Sequence, residues 1–445
     1  MATLPLIRGF EPGGVLAWRD GRAIRAGEFL RDVAALAARL PARRHVLNLC
    51  ADRYLFAVGL AAALSCRQVS LLPPNETPDM IGRLASHYPD LCCLCDRELA
   101  PQGLETVPVL ESAADAAQAA AIPKVPAAQV AAILFTSGST GEPVAHPRTW
   151  GSLVREAFSE IEGLDTRLLP GMAVLATVPP QHAYGLEFTV VLPLQGGLAS
   201  HAGRPLLPAD VRAALAKLPR PRALVTTPVH LRALLAEPDA LPPADFVLSA
   251  TAPLPPQLAA EAEARFGAPL YEIYGCTEAG GIAARRTIES AEWRALRDVA
   301  LRTDGAGTWA HGGHVETEVL LADVIELFGP GSFLLHGRTA DLVNIAGKRT
   351  SLAHLNYHLN SIEGVRDGVF VVPGDNGEEV ARLVAFVVAP GHTSESLMSA
   401  LRQRIDAAFL PRPLRFVDAL PRNATGKLPR QAFAGLESRL ARKAG

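Results

Sequence analysis

Apolar residues recur at helical spacing from Gly27 to Leu40 and stop before Pro41, which predicts a helix there. The short apolar run His45 to Leu49 then reads as a strand. The alternation continues with a helix near 53–65, a strand at Val69–Leu72, a helix near 78–87 and a strand at 91–95. Strands that alternate with helices predict a parallel sheet covered on both faces. The Ala- and Pro-rich stretch Ala113 to Ala128 predicts a helix and a surface connection. Val130 to Phe135 is a fully apolar strand that runs straight into the loop Thr136-Ser137-Gly138-Ser139-Thr140-Gly141-Glu142-Pro143. Further strands are expected at Ala173–Val178, Ala223–Thr226, Phe246–Ser249 and Leu270–Ile273, with helices between them.

The pattern changes after Gly337-Arg338. Leu352–Ser361 has helical spacing, Val369–Pro373 and Leu383–Val388 read as strands, and Ser394–Ala408 as a helix. This predicts an α/β protein in two parts. A large N-terminal domain, 1–338, has mostly parallel sheets flanked by helices; a small C-terminal α+β lid domain covers 339–445. No internal repeat or low-complexity tract is visible.

Composition narrows the classes. Hydrophobic residues make up 49% and charged residues 20% of the 445, which is globular. A net charge of −2 gives the whole molecule no attraction to nucleic acid or an anionic membrane. The apolar run Phe56 to Ser65 falls short of the ~20 residues that span a bilayer. The N-terminus lacks the apolar core of a secretory signal, so the cytoplasm is the expected location. Cys92, Cys93 and Cys95 have no second ligand pair nearby and read as a buried strand. Gly305 to Ala310 fits a dinucleotide fingerprint in letters, but no helix follows it. His311 and His314 are a possible metal pair, set in a Gly-rich loop. Ser139 lacks a nucleophile elbow.

The candidate chemistry starts in the 136–143 loop. Small residues let successive backbone N–H groups converge on anionic oxygens, and the Thr and Ser hydroxyls add donors. No Gly-Lys-Ser/Thr closes the loop, so it is not a Walker A sequence. A Ser/Thr/Gly surface turn is the alternative.

Thr136 to Pro143 resembles the phosphate loop of the adenylate-forming superfamily: acyl- and aryl-CoA synthetases, peptide-synthetase adenylation domains and luciferases. Four further stretches match in order. Gln181-His182-Ala183-Tyr184-Gly185 is similar to the motif lining the acyl pocket, and Tyr274-Gly275-Cys276-Thr277-Glu278 to the adenine and magnesium motif. Gly337 to Asp341 through Gly347-Lys348-Arg349 resembles the ribose, hinge and C-terminal-domain motif, and Leu420 to Arg430, around Lys427, the terminal catalytic motif.

The resemblance assigns the roles. Thr136, Ser137, Gly138, Ser139, Thr140 and Gly141 would hold ATP phosphates, and Tyr274 and Gly275 the adenine. Asp323 and Arg338 would bind the ribose, though Leu321-Ala322-Asp323 departs from the usual Thr-Gly-Asp. Arg349 would meet a nucleotide phosphate. Thr277 offers a hydroxyl to a phosphate, and Glu278 a hard oxygen for Mg²⁺. His182, Tyr184, His230, Thr251 and the small pair Gly280-Gly281 are the candidate acid pocket.

The chemistry implied has two steps. A carboxylate attacks the α-phosphate of ATP and expels pyrophosphate, with Lys427 between the two anions. A pantetheine thiol then takes the acyl group from the adenylate. The C-terminal domain would rotate between the steps, so that Lys427 swings away. Two departures stand out. The loop's usual lysine is Val144 here, for which His146 or Arg148 would substitute; Arg148 is the expected one, being always charged and long. Ala340 replaces the usual Asp or Lys hinge residue, which moves the expected pivot to Asp341.

The wording of the loop and of Asn344 to Arg349 resembles AMP-ligases of aryl-polyene and xanthomonadin-type pigment biosynthesis. That implies an aromatic acid such as 3-hydroxybenzoate or 4-hydroxybenzoate, loaded onto an acyl carrier protein. Free coenzyme A as acceptor is the alternative. A catalytically silent nucleotide-binding relative is a third reading, for which Val144 speaks.

Overall fold

The computed structural model describes residues 2–11, 13–97, 103–111, 121–137, 143–164, 168–329, 331–338, 342–345, 348–372 and 383–422. Two sheets dominate its N-terminal part. The smaller has six strands in the order Pro143–Thr149, Val130–Ser137, Val69–Leu72, His45–Asn48, Leu91–Cys95, Thr106–Pro108. All its pairings are parallel except the first, where the chain turns back after the phosphate-loop candidate.

The second sheet has eleven strands. Its middle is parallel, running through Leu270–Cys276, Phe246–Ser249, Arg222–Thr226, Ala173–Ala176, Ala199–His201 and Val15–Arg19. Antiparallel strands extend it past Leu270–Cys276: Gly280–Arg285, Trp293–Ala295, Ser332–Arg338 and Asp323–Gly329. The sequence pattern located the parallel strands and missed this antiparallel wing. Of its strands, Gly280–Arg285 is buried but opens on two glycines, Trp293–Ala295 is three residues long, and Asp323–Gly329 is largely part-exposed, so none shows the continuous apolar run of a central parallel strand.

Local chemistry explains the well-placed elements. Leu91–Cys95 is buried at every position, and its cysteines are free, as expected of a central parallel strand. Helix Arg53–Ser65 is buried on nearly all sides and is capped by Asp52, whose carboxylate accepts from Leu55 N–H at 3.0 Å. Helix Pro78–His87 starts with proline behind a Thr77 cap. The helix expected within 113–128 fares differently. Residues 112–120 lie outside the described residues, and Lys124–Pro126 is a strand paired with Thr3–Pro5.

Two hydrophobic clusters lie about the larger sheet, and Phe370, Leu397 and Leu401 belong to a separate one in the C-terminal part. That part holds a hairpin, Leu342–Ile345 with Lys348–Ser351, helices Leu352–Asn360 and Ser394–Arg402, and a three-stranded sheet. The expected helix over 394–408 ends at Arg402 and resumes as a 3₁₀ turn at Ala407–Phe409. The two parts touch through Arg232 and Asp367, 3.7 Å apart, and through Gln257, which donates to the Ser361 carbonyl at 2.7 Å. Among the described residues no helix is long and apolar enough to cross a membrane.

Candidate functional site

Strand Val130–Ser137 ends in Thr136, and the antiparallel return strand sets Val144 opposite it. Two residues on, His146 turns inward. Its Nε2 lies 2.9 Å from the Thr136 hydroxyl and 3.8 Å from the Glu278 carboxylate. Glu278 comes from the turn between Leu270–Cys276 and Gly280–Arg285, together with Thr277. The end of the phosphate-loop strand and the Thr-Glu turn therefore meet, with an imidazole between them. Ser137 closes the strand, and Gly138, Ser139, Thr140 and Gly141 lie outside the described residues.

Near the same end of strand Leu270–Cys276, four residues before Glu278, the Tyr274 hydroxyl donates to Asp323 Oδ2 at 2.8 Å. Its ring is fixed edge-on by Phe333 and tilted against Trp293. Asp323 opens a strand whose register pairs it with Arg338. The adenine-motif tyrosine thus bonds one ribose candidate, Asp323, across from which the backbone register sets the other, although the Ala322-Asp323 wording departs from the family's. Arg349 lies on the C-terminal hairpin opposite Asn344. Ala340, Asp341 and Lys427 fall outside the described residues.

The pocket candidates divide. His182 caps the short helix Ala183–Leu186, on which Tyr184 is buried and donates to the Leu248 carbonyl at 3.1 Å. Burial pushes the Tyr184 phenol well above its ordinary range, so it stays a neutral donor. His230 Nδ1 lies 2.9 Å from the Thr227 hydroxyl and 3.2 Å from that of Thr177. Burial first, then Arg204, lowers its basicity, which keeps the ring neutral near pH 7. Thr251 sits at φ +79°, a left-handed conformation that a β-branched residue adopts only when its surroundings impose it.

Gly280 and Gly281 are small for a reason the sequence did not show. Gly281 N–H donates to buried Glu156 at 2.7 Å, and a Cβ on Gly280 would stand 2.0 Å from that carboxylate. Gly280 also has φ +82°.

Arg148 is the clear correction. It is 4% exposed, and its guanidinium pairs with Glu156 at 2.6 Å and Glu187 at 3.3 Å. It faces away from solvent and is held by buried carboxylates, so it cannot reach ATP phosphates. His146 is the basic residue at that edge. We expect His146→Ala to raise the KM for ATP about tenfold with the KM for acid unchanged, one hydrogen bond to a charged group being worth ~1.5 kcal/mol; steady-state kinetics in each substrate check this.

Arg53 was missed altogether. Although its residue is only 1% exposed, it donates to the Val178 carbonyl at 2.8 Å and to the Thr189 hydroxyl. It ties the end of strand Ala173–Ala176 to the helix after His182. A lone arginine at a helix start carries no sequence signal of that role.

Glu278 is half-exposed, offers hard oxygens at the strand end and lies across His146 from Thr136, which fits a Mg²⁺ carried with ATP phosphates. When bound, that ion neutralises phosphate charge.

Comparison with known proteins agrees with this geometry. Residues 34–320 match the AMP-binding enzyme family and residues 359–427 the AMP-binding enzyme C-terminal domain. A 4-coumarate–CoA ligase of Rhodobacter capsulatus is 33% identical over 300 residues, 66% of this chain and 74% of the relative. A 3-hydroxybenzoate–CoA/4-hydroxybenzoate–CoA ligase of Thauera aromatica is 26% identical, with 70% and 67% covered. The solved benzoate CoA ligase of Burkholderia xenovorans superposes with a TM-score of 0.76 at 20% identity, covering 95% of this chain and 96% of that one. The chain belongs to the AMP-binding enzyme family, within the adenylate-forming superfamily of acid–thiol ligases.

Proposed function

We propose that this ligase activates an aromatic acid, as a hydroxybenzoate- or coumarate-type adenylate, and passes the acyl group to a pantetheine thiol. The observation that carries the reading is a pair of contacts at and just before the Thr277–Glu278 turn. His146, on the strand paired with that of Thr136, links Thr136 to Glu278, and Tyr274, four residues before Glu278, bonds Asp323. The printed names of the coumarate and hydroxybenzoate relatives support an aromatic acid and free coenzyme A as acceptor. A carrier protein is the second reading, favoured by the wording of the phosphate loop and of Asn344 to Arg349.

In this mechanism the Asp323 carboxylate, oriented by Tyr274, accepts from the ribose diol. Thr136 and Thr277 donate to phosphate oxygens, and Lys427 bridges the attacking carboxylate and the α-phosphate. Tyr184 and His230, both neutral, orient a polar ring substituent.

Acid-dependent ATP–pyrophosphate exchange across benzoates, hydroxybenzoates, coumarates and fatty acids tests the acid. Exchange confined to fatty acids would overturn the aromatic reading. A second panel, coenzyme A against holo-carrier protein, decides the thiol. Asp323→Ala is expected to raise the KM for ATP by about 10- to 100-fold, since it removes charged hydrogen bonds worth ~1.5–3 kcal/mol. Unchanged ATP kinetics in that variant would remove Asp323 from the ribose site.

A further inference from the structure

Three carboxylates meet inside the N-terminal part, behind the Gly280–Gly281 pair, and none has been given a part in the ligase chemistry above. Glu156 and Glu160 stand one turn apart on helix Trp150–Gly163, and Glu187 opens the turn Glu187–Val191. One oxygen of each lies within 4.8 Å of the others, and none of the three residues is more than 5% exposed.

Their partners do not balance them. Arg148 bonds Glu156 and Glu187, and Gly281 N–H bonds Glu156. Glu160 is fully buried, and neither of its oxygens has a hydrogen-bond partner. Fully ionised, the three carboxylates against Arg148, the cation ion-paired to them among the described residues, would leave a net charge of −2, and burial first, then Glu156, pushes Glu160 and Glu187 well above the usual carboxylate range. A buried uncompensated charge costs several kcal/mol or more.

A residue from a separate element points into the same cluster. His314, in the turn before strand Val315–Leu320, is 2% exposed, and its Nε2 lies 3.8 Å from Glu156 Oε1. That is too long for a hydrogen bond, and neither ring nitrogen makes one of ordinary geometry. The Gly281 backbone beside the ring has only a minor pull on its basicity, while burial favours its neutral, ligating form. The same histidine lines a recess of about 140 Å³ with Arg155, Ser159, Glu162 and Asp298. The imidazole therefore stands between the carboxylates and a route from the surface.

We propose that Glu156, Glu160, Glu187 and His314 bind one divalent transition-metal ion, separate from the Mg²⁺ of the nucleotide. Its two charges bring the cluster to neutrality with Arg148 left in place. Carboxylate and imidazole donors together suit Zn²⁺ or Mn²⁺. Bonds of about 2.0–2.2 Å set the donors of one ion roughly 3–4 Å apart, so the cluster contracts by about an ångström on binding. The ion would lock helix Trp150–Gly163 to the Glu187–Val191 turn and to the loop that carries His314.

The full chain, stripped with a chelator and dialysed, is titrated with ZnCl₂ or MnCl₂, with MgCl₂ as comparison. The ion retained after desalting is counted by elemental mass spectrometry, and melting temperature is followed. One Zn²⁺ or Mn²⁺ per chain is expected, with a rise in melting temperature that Mg²⁺ does not reproduce. Glu160→Gln and His314→Gln should each lose the ion and the rise. Should Glu160→Gln fold poorly, the visible spectrum of Co²⁺-loaded wild type reads the same ligand set. Equal retention in wild type and both variants overturns the site. So does no retention in wild type, which would show that two protons balance the carboxylates instead.

Discussion

Lys427→Ala is expected to slow acid-dependent ATP–pyrophosphate exchange by about 10²–10³-fold or more, the usual cost of removing one donor aimed at developing transition-state charge. Transfer from a supplied aryl-adenylate to the thiol should stay within about threefold of wild type, since an interaction made only in one transition state leaves the other step alone. Both reactants of the first step are anions, and the chain lacks the usual phosphate-loop lysine, with Val144 in its place. His146 cannot reach as far as a lysine. More of the phosphate charge then falls to Lys427. Five residues before Lys427, Arg422 bonds Asp367 at 2.7 and 2.8 Å, and Asp367 also faces Arg232 of the N-terminal part. Exchange and single-turnover transfer, measured on one preparation, separate the steps. Equal loss in both would mean that Lys427 holds the fold or binds the adenylate, and the swinging-domain reading would fail.

The parallel framework was legible because central strands are continuous apolar runs and their helices are capped by short polar residues. Val69–Leu72, Pro78–His87, Leu91–Cys95 and Phe246–Ser249 fall where the pattern put them. The antiparallel wing from Gly280 to Arg338 was not: Gly280–Arg285 opens on two glycines, Trp293–Ala295 is three residues long, and the part-exposed Asp323–Gly329 carries a weaker signal. Motif wording singled out Thr136, Tyr274, Glu278 and Asp323; the structure sets Thr136 and Glu278 on either side of His146 and bonds Tyr274 to Asp323. It misread Arg148. Charge and length suggested a phosphate ligand, but position along strand Pro143–Thr149 decided otherwise: His146 meets Thr136, and Arg148, two residues further on, is buried against Glu156 and Glu187. Its acidic partners lie 8 and 39 residues away, too dispersed for any local pattern to announce them. Gly280 and Gly281 show the same limit, being small on account of a carboxylate more than a hundred residues earlier.

Arg148→Ala should therefore act on stability first. The guanidinium is the shared partner of two buried carboxylates, and Glu160 beside them has no hydrogen bond of its own. Removing one partner of a buried ion pair typically costs ~3–5 kcal/mol, because the remaining charge stays uncompensated. Here two carboxylates lose their cation at once, which puts the expected loss at the upper end of that range. Arg148→Lys should recover only part of it, since a single ammonium cannot reproduce the fork that spans Glu156 and Glu187. Denaturant midpoints for the three proteins measure the effect directly. The KM for ATP, taken well below the midpoint, should change little in Arg148→Lys. A variant that kept its denaturation midpoint while its ATP affinity collapsed would return Arg148 to the phosphates. The physical distinction is plain: a phosphate ligand must face the site, whereas Arg148 spends its donors on Glu156 and Glu187, and the strand that carries it has already sent His146 there.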